Sequence, residues 1–363
     1  MNVIFDSSPD FEKVALTHAR NYPGMRAQDF IKLAYQHAKG CEHLVRESPD
    51  IERRIQEERS ENETGVRFEA LGNGLVRTYL SGTDAHFTSA LVSRMFSHTA
   101  RAFSPREGDL EKALSVLLDL TEKDLLPVSF LEMSDFIEKY RDMGSPAVRH
   151  SPEYRALYAP AYRVTLSVFS EYCQLFEALE ALVRRKPGAI VAIDGMCASG
   201  KSTLANTLAS AMDALVLHMD DFFLPPEMRT PERLSEPGGN VHRERFLAEA
   251  LSPLSEGKPF SYRPYSCQTQ SLAAPVAVCP SQLNIVEGAY SCHPELSQYY
   301  DMTVCLSVDP ALQVQRIRLR DGETAFSRFQ NEWIPMENRY LSHFRISDRA
   351  DFAYCVFPGT DRR

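Results

Sequence analysis

The chain has 363 residues, of which 44% are hydrophobic and 25% charged, and its formal net charge is −9. This length predicts two or three domains, and the acidic balance argues against non-specific nucleic-acid binding, which depends on Lys and Arg. No apolar run approaches the roughly 18 residues that span a bilayer, and the first residues lack the basic-then-apolar order of a signal peptide. We therefore expect neither a nucleic-acid partner nor a membrane partner.

The eight cysteines are scattered along the sequence and form no C-x-x-C pair. Several of them lie within apolar runs, a pattern typical of reduced, buried thiols in the cytosol. The sequence therefore predicts a cytoplasmic protein.

The first half of the sequence has mainly helical patterns. Residues 66–80 differ, because two β-prone runs flank Gly72-Asn73-Gly74, which is a hairpin turn signal. The step Lys186-Pro187-Gly188 is the expected domain boundary. It separates a mainly helical α+β N-terminal domain of unknown role, residues 1–185, from a second domain, residues 186–363. Apolar residues recur at helical spacing over 27–45, 85–103, 109–120, 127–141 and, in one long amphipathic stretch, 151–185.

Two weaker patterns occur in this half. His37, Cys41 and His43 have a spacing at which metal ligands can converge, but a histidine packed in the core is the favoured interpretation of His37. A second group, Arg141, Arg149 and Arg155, suits either an anionic pocket or a solvated surface, and we favour the surface.

The second half changes to short apolar runs that alternate with helical stretches. This alternation predicts an α/β domain with a parallel sheet and helices on both faces. The expected strands are 190–193, 214–218, 283–286, 303–308 and 352–357, and the expected helices include 202–212 and 310–320.

The segment from Gly195 to Ser202 reads GMCASGKS and fits the pattern G-x-x-x-x-G-K-[S/T] between a strand and a helix. Glycines allow successive backbone N–H groups to turn inward around phosphate oxygens, and the following helix presents its positive end to the anion. We expect Lys201 to reach the β- and γ-phosphates and the Ser202 hydroxyl to ligate Mg²⁺. The predicted nucleotide-binding residues are Gly195, Met196, Cys197, Ala198, Ser199, Gly200, Lys201, Ser202 and Thr203.

Charged residues downstream of this loop indicate what happens to the phosphate. Asp220 and Asp221 follow the strand 214–218, so one of them can take a proton from an attacking hydroxyl, or both simply cap the next loop. Glu287 ends the strand 283–286, where an acid holds Mg²⁺ or its water shell, unless it is only solvated. Arg316 and Arg320 share a helix face and suit a lid over the transferred phosphoryl group, although an Arg-rich helix is often a solvated face.

From about Gly188 to its end, the chain resembles the uridine kinase and phosphoribulokinase family of P-loop kinases. The segments that carry the resemblance are GMCASGKST, HMDDFF, IVEG, QRIRLRD and PMENRYLSHFRISDRADFAYCVF. It implies a P-loop NTPase fold with ATP and Mg²⁺ as cofactors, and transfer of the ATP γ-phosphate to a hydroxyl of a nucleoside or similar small metabolite. It also implies Asp220 as the base, Glu287 as the metal-associated acid, and Lys201, Arg316 and Arg320 as further catalytic residues.

The acceptor side departs from the family pattern. Uridine kinases use an aspartate to grip the ribose where this sequence has His242, and a histidine where it has Cys267. We therefore expect a small alcohol as acceptor, such as a nucleoside, sugar or vitamin, without naming it. The expected substrate-binding residues are Asp220, Phe223, His242, Tyr262 and Tyr265.

The amino-acid sequence leaves two questions open. One is whether the chain is instead an ATP-binding regulatory module without metabolite kinase activity. The other is whether it forms a homo-oligomer.

Overall fold

The computed structural model describes residues 2–6, 10–41, 51–58, 68–80 and 87–358, which belong to two compact units. The N-terminal unit is Ser7–Glu177, and the C-terminal unit joins Met1–Asp6 to Ala178–Thr360. These limits differ from the predicted boundary at residue 185. Strand β1 (Asn2–Asp6) belongs to the C-terminal unit, and the division falls within the helix Cys173–Arg185.

The N-terminal unit packs helices around a three-stranded antiparallel sheet in the order β2-β3-β4. The predicted hairpin is confirmed, since β2 and β3 pair across a turn whose three residues, Gly72 to Gly74, all have left-handed backbone angles. The strands are β2 (Phe68–Gly72), β3 (Leu75–Tyr79) and β4 (Tyr162–Leu166). The helices are α1 (Phe11–Asn21), α2 (Ala27–Lys39), α3 (Ile51–Glu58), α4 (Ser89–Ala102), α5 (Asp109–Glu122), α6 (Phe130–Asp142), α7 (Pro152–Tyr158) and α8 (Val168–Glu171).

The prediction of one long helix over 151–185 is wrong. The segment contains α7, β4, α8 and α9 (Cys173–Arg185). The run YRVTL in β4 is rich in β-branched and aromatic residues, and its pairing with β3, from Leu75 opposite Leu166 to Tyr79 opposite Tyr162, outweighs its helical periodicity.

Most residues of the two weaker patterns of this half lie in the described ranges. The His37 Nδ1 is 2.7 Å from the carbonyl oxygen of Leu71, and His37 is buried in the core as favoured above. His43 and the end of the predicted helix 27–45 lie outside the described residues. Arg141 forms an ion pair with Glu111 at 2.7 Å, and Arg149 and Arg155 are exposed.

A buried polar cluster lies beside this small sheet. Arg77 on β3 is fully buried, and it donates to the side-chain oxygen of Gln36 at 2.9 Å and to Glu69 at 3.4 Å. Its guanidinium also lies 4.6 Å from the centre of the Tyr162 ring. A buried charge is tolerated only when it is paired and hydrogen-bonded, so these contacts are necessary for the unit to fold around Arg77.

We expect the N-terminal unit to lose stability in acid because of His150. Burial lowers the pKa of His150 to about 4, while the unfolded chain binds that proton near 6.5. Since the unfolded state then holds more protons between these values, stability falls as the pH drops from 6.5 to 4, by roughly 2–3 kcal/mol. His18 and His37, whose pKa values burial also lowers, add to the effect in the same direction.

Hydrogen exchange of peptides covering residues 68–80 at pH 7, 5.5 and 4.5 measures this loss locally. Replacing His150 by Gln is expected to flatten the dependence of the opening free energy on pH. Replacing the exposed His343 by Gln should leave it unchanged. An equal slope in wild type and His150→Gln would show that His150 is not the group responsible.

The C-terminal unit contains a six-stranded parallel sheet in the order β1-β13-β12-β5-β11-β6, which confirms the predicted fold class. Its strands after β1 are β5 (Ala189–Gly195), β6 (Leu215–His218), β11 (Leu283–Glu287), β12 (Met302–Val308) and β13 (Phe352–Pro358). Short antiparallel pairs form between them from β7 (Phe260–Tyr262), β8 (Tyr265–Ser266), β9 (Ser271–Leu272) and β10 (Val276–Val278).

The principal helices of this unit follow β5 and β12. Helix α10 (Lys201–Met212) begins at the predicted phosphate loop. The short helices α11 (Pro231–Ser235), α12 (Arg243–Phe246) and α13 (Ser252–Ser255) precede β7. Helix α14 (Pro310–Arg328) is interrupted at Gly322, whose backbone angles are not helical. It is followed by α15 (Ile334–His343) and α16 (Ile346–Arg349). In the described part of the chain, no helix has the length and apolar character that crossing a membrane requires.

Candidate active site

The loop after β5 has the backbone that its glycines predict. Gly195 has φ 131°, and a Cβ atom at this position would lie 1.9 Å from the carbonyl oxygen of Leu306. The strands β5 and β12 can therefore approach here only because residue 195 lacks a side chain. The ammonium group of Lys201 returns over the loop and donates to the carbonyl oxygens of Gly195 and Met196, both at 2.9 Å.

The same loop presents donors to an anion. Ala198 and Gly200 both have positive φ, of 58° and 98°, a conformation that turns neighbouring N–H groups toward one centre. The N–H groups of Ala198, Gly200 and Lys201 make no hydrogen bond within the described ranges, and Lys201 is the first residue of α10. The loop is thus a concave set of donors at a helix N-terminus, which is the physical requirement for binding phosphate.

Side chains from two later helices hold the far side of this loop. The buried Glu337 of α15 accepts from the N–H group of Cys197 at 2.7 Å. The amide of Gln313 donates to the Cys197 carbonyl oxygen at 3.0 Å, and Arg316 donates to that of Ala198 at 2.9 Å. Burial raises the pKa of Glu337, although Lys201 and the bond from Cys197 oppose the rise. These contacts fix the position of the loop from residues over 100 positions away in sequence.

Asp194 connects the loop to the rest of the sheet. Its fully buried carboxylate accepts four hydrogen bonds, from the N–H groups of Gly195, Tyr290 and Cys292 and from the hydroxyl of Tyr340. Burial raises the pKa of Asp194, and these hydrogen bonds act against the increase. The carboxylate therefore ties β5, the segment after β11 and helix α15 to one point beneath the loop.

Replacing Tyr340 by Phe removes one of these four hydrogen bonds. Because the acceptor is a buried carboxylate, we expect the free energy of unfolding of the C-terminal unit to fall by about 1.5–3 kcal/mol. The fluorescence of Trp333, the single tryptophan of the chain, reports this unit during urea unfolding. Tyr300→Phe is the matched control, since the buried Tyr300 hydroxyl has no partner within the described residues. Equal midpoints for the two variants would argue against Asp194 as a structural centre.

The two residues predicted to hold a metal are in contact. The hydroxyl of Ser202 lies 3.2 and 3.1 Å from the two carboxylate oxygens of Glu287. His218, at the end of the neighbouring strand β6, places its Nδ1 2.6 Å from the same carboxylate. The pKa of His218 is raised, first by this hydrogen bond. Sequence reasoning did not identify His218 as a partner of Glu287, although both stand at the carboxyl ends of adjacent strands.

Asp220 lies close to these groups in the short 3₁₀ turn that follows β6. A Cβ atom added at Gly288 would lie 3.5 Å from its carboxylate oxygen. The residue is exposed, but desolvation by the surrounding protein raises the pKa of its carboxylate, an effect that Lys201 opposes and Glu287 strengthens. Its carboxylate makes no hydrogen bond within the described residues and is therefore available to a ligand.

Asp221, its neighbour, is engaged differently. Its carboxylate accepts a hydrogen bond from the Tyr262 hydroxyl at 2.7 Å, and its carbonyl oxygen accepts from Arg245 at 2.8 Å. The guanidinium of Arg245 lies 4.5 Å from the centre of the Phe222 ring, and that ring stacks on Tyr262 at 5.1 Å. The Asp221 carboxylate is thus engaged by a buried aromatic cluster, which distinguishes it from that of Asp220.

The remaining predicted substrate residues surround the same segment. Phe223 is half-buried and forms an isolated bridge with Val241. His242 donates its backbone N–H to the carbonyl oxygen of Phe222 at 2.7 Å, while its ring caps the start of α12. Tyr265 is buried, and its hydroxyl has no hydrogen-bond partner among the described residues. The structure therefore places His242 and Tyr262 in contact with the segment 218–223, to which Phe223 belongs. The binding role of all three stays a prediction.

The two predicted lid arginines have different positions. Arg316 contacts the phosphate loop through the Ala198 carbonyl, as described above. Arg320 is exposed, donates to Asp321 at 2.8 Å and lies 5.6 Å from the centre of the Phe329 ring. Both belong to the part of α14 that precedes the break at Gly322. In this conformation Arg316 supports the loop, and Arg320 remains on the surface.

Three solved structures show what this chain is similar to. No protein-family model matches the sequence. Among solved structures, a possible uridine kinase from Bacillus stearothermophilus is 21% identical with a TM-score of 0.38, covering 50% of this chain and 99% of that one. A proposed fructose transport system kinase from Silicibacter sp. TM1040 is 26% identical with a TM-score of 0.41, covering 48% and 94%. Shikimate kinase from Bacteroides thetaiotaomicron is 14% identical with a TM-score of 0.25, covering 48% and 90%.

These likenesses concern about half of the chain and are remote. The P-loop NTPase fold class of the C-terminal unit is supported by its own parallel sheet and by the loop between β5 and α10.

Proposed function

We propose that the C-terminal unit transfers the γ-phosphate of ATP to a hydroxyl of a small metabolite, with Mg²⁺ as cofactor. The observation that carries this proposal is the convergence of three strand ends. The phosphate loop follows β5, Asp220 follows β6 and Glu287 ends β11, and these strands are adjacent in the sheet. In parallel sheets the ligand crevice lies at the carboxyl ends of the strands.

The residues at this edge suit Mg²⁺. Ser202 and Glu287 supply a hydroxyl and a carboxylate within about one hydrogen-bond length of each other, and hard oxygen ligands are those that Mg²⁺ takes. The described residues contain no group of three or more His, Cys, Asp or Glu side chains that would enclose a metal. Mg²⁺ usually keeps several waters and binds through one or two protein oxygens plus phosphates. When bound, the ion neutralises charge on the β- and γ-phosphates.

Side chains and backbone groups of the protein bind the phosphates and accept the proton. The free N–H groups of the loop and the ammonium of Lys201 hold the phosphates of the donor, after Lys201 leaves the two carbonyls that it contacts. Asp220 has a raised pKa and no hydrogen-bond partner among the residues that the structure describes, so it can accept the proton of the acceptor hydroxyl as that oxygen attacks. We propose that the half-buried Phe223, in the same segment, contacts the acceptor.

A substrate panel tests the proposal. ADP release is measured with ATP and Mg²⁺ against nucleosides, sugars and vitamin alcohols, and we expect one class to stimulate release well above the rate with ATP alone. Lys201→Ala is the control that should abolish both rates. ATP binding by calorimetry without stimulation by any acceptor would instead favour an ATP-binding regulatory module. The cytoplasmic location stays a prediction.

A further inference from the structure

The N-terminal unit contains a cavity beside its polar cluster. Its volume is about 240 Å³, and its lining comes from α2, α3, α4, β4 and the segment before α7. Pockets for drug-sized ligands have roughly 300–1,000 Å³, so this space suits a smaller molecule. Polar side chains, Gln36, His150 and Tyr162, form one part of the wall, and Phe96 and Val164 contribute apolar surface.

The hydrogen bonds of the polar wall form a chain that begins at Asp29, and each has a defined donor and acceptor. This buried carboxylate accepts from the N–H of Arg26 and from the N–H and hydroxyl of Ser151. It lies 2.9 Å from Nδ1 of His150. Despite burial, the bonds from His150 and Ser151 lower the pKa of Asp29. The carboxylate therefore fixes the proton of a neutral His150 on Nδ1.

The remaining ring nitrogen of His150 is consequently an acceptor. It lies 2.6 Å from the Tyr162 hydroxyl, which donates to it. The amide nitrogen of Gln36 donates to the same hydroxyl at 3.2 Å, while its oxygen receives Arg77. A polarised Tyr162 hydroxyl thus stands on the cavity wall, in an Asp–His–hydroxyl order that elsewhere positions a reactive or binding group.

The charges around the cavity are mainly positive. Lys32, Arg54 and Arg163 line it, against the single carboxylate of Glu58. Glu58 pairs with Arg163 at 2.7 Å. The positive charges of Lys32 and Arg54 are therefore not balanced by a carboxylate of the lining. Burial lowers the pKa of Lys32 to about 8, so this group is still mostly protonated at neutral pH. Its Nζ donates to the Val148 carbonyl at 2.9 Å and has further N–H bonds to offer.

We propose that this cavity binds a small organic anion, a phosphate ester or carboxylate, whose charge contacts Lys32 and Arg54 and whose polar body contacts the Tyr162 hydroxyl, which His150 positions. The size of the cavity limits the ligand to a small metabolite, and its apolar wall excludes a fully hydrated ion. The site lies wholly within residues 7–177, so it gives the N-terminal unit a ligand-binding role of its own.

The test uses the full chain carrying Lys201→Ala, which weakens the anion affinity of the phosphate loop. Calorimetry is performed with ribose 5-phosphate, malate and inorganic phosphate, and with ribose as the uncharged match. We expect at least one of the two organic anions to bind with a Kd under about 1 mM and ribose to show no saturation. In this background, Lys32→Met and Arg54→Gln should each raise that Kd at least tenfold.

Arg141→Gln is the matched control, because Arg141 is exposed and pairs with Glu111 away from the cavity lining. It should leave the Kd unchanged. Arg54 is exposed, so its variant should fold even if Lys32→Met does not, and circular dichroism checks both. No saturation by either organic anion, or equal affinity in the Arg54→Gln and Arg141→Gln chains, would overturn the proposal without affecting the kinase assignment.

Discussion

Asp220→Asn is expected to lower kcat for phosphoryl transfer by roughly 10²–10⁴-fold, the contribution of a positioned general base. Asn keeps the shape of the side chain but cannot accept the proton of the attacking hydroxyl. The dissociation constant for ATP should change little, because the N–H groups of the loop and the ammonium of Lys201 bind the ATP phosphates. Initial rates of ADP release with the best acceptor of the panel, together with calorimetric ATP binding, give both quantities.

Asp221→Asn is the natural control for this experiment. Its carboxylate accepts from Tyr262, so the change should weaken acceptor binding and raise KM more than it lowers kcat. If Asp221→Asn lost as much kcat as Asp220→Asn, the assignment of different roles to the two carboxylates would be contradicted. If Asp220→Asn kept its full rate, no base role would remain for Asp220.

Gly195→Ala is expected to have the second large effect, this time on stability. A Cβ atom at residue 195 would meet the backbone of β12, 1.9 Å from the carbonyl oxygen of Leu306, so the two central strands must separate. We expect a loss of about 2–4 kcal/mol in the free energy of unfolding, and Trp333 fluorescence during urea unfolding measures it.

Gly257→Ala separates this clash from simple backbone strain. Gly257 also has a positive φ, of 68°, but a Cβ atom there would have nothing within 4 Å. Its substitution should cost only about 1–2 kcal/mol, the usual cost of the left-handed conformation for a residue with a Cβ. Equal losses for the two variants would mean that the contact between Gly195 and Leu306 does not determine the requirement for glycine.

Local patterns predicted most of the C-terminal sheet and the loop. Each strand from β5 to β13 in the large sheet is a short apolar run, and the loop has a fixed spacing of glycine, lysine and serine, so both are visible within a few residues. Strand β1 was missed because its partner, β13, lies at the other end of the chain. Strand β4 was missed because its residues also fit a helical periodicity, and only pairing with β3 decides between the two.

Site residues that depend on distant contacts could not be predicted. Glu337 acts on the loop through the N–H group of Cys197, and no motif around Glu337 indicates that contact. The cluster of Asp29, His150 and Tyr162 likewise joins three separate segments. For Arg141, Arg149 and Arg155 the sequence favoured a solvated surface, and all three are exposed. It gave no indication of Arg54 and Arg163, which line the cavity.

The most direct test of the kinase assignment is the mass of the acceptor after incubation with ATP, Mg²⁺ and the protein. We expect one compound of the panel to gain the mass of a single phosphoryl group in step with ADP formation, and to gain none with Asp220→Asn. ATP that binds but leaves every hydroxyl compound at its original mass would contradict the account.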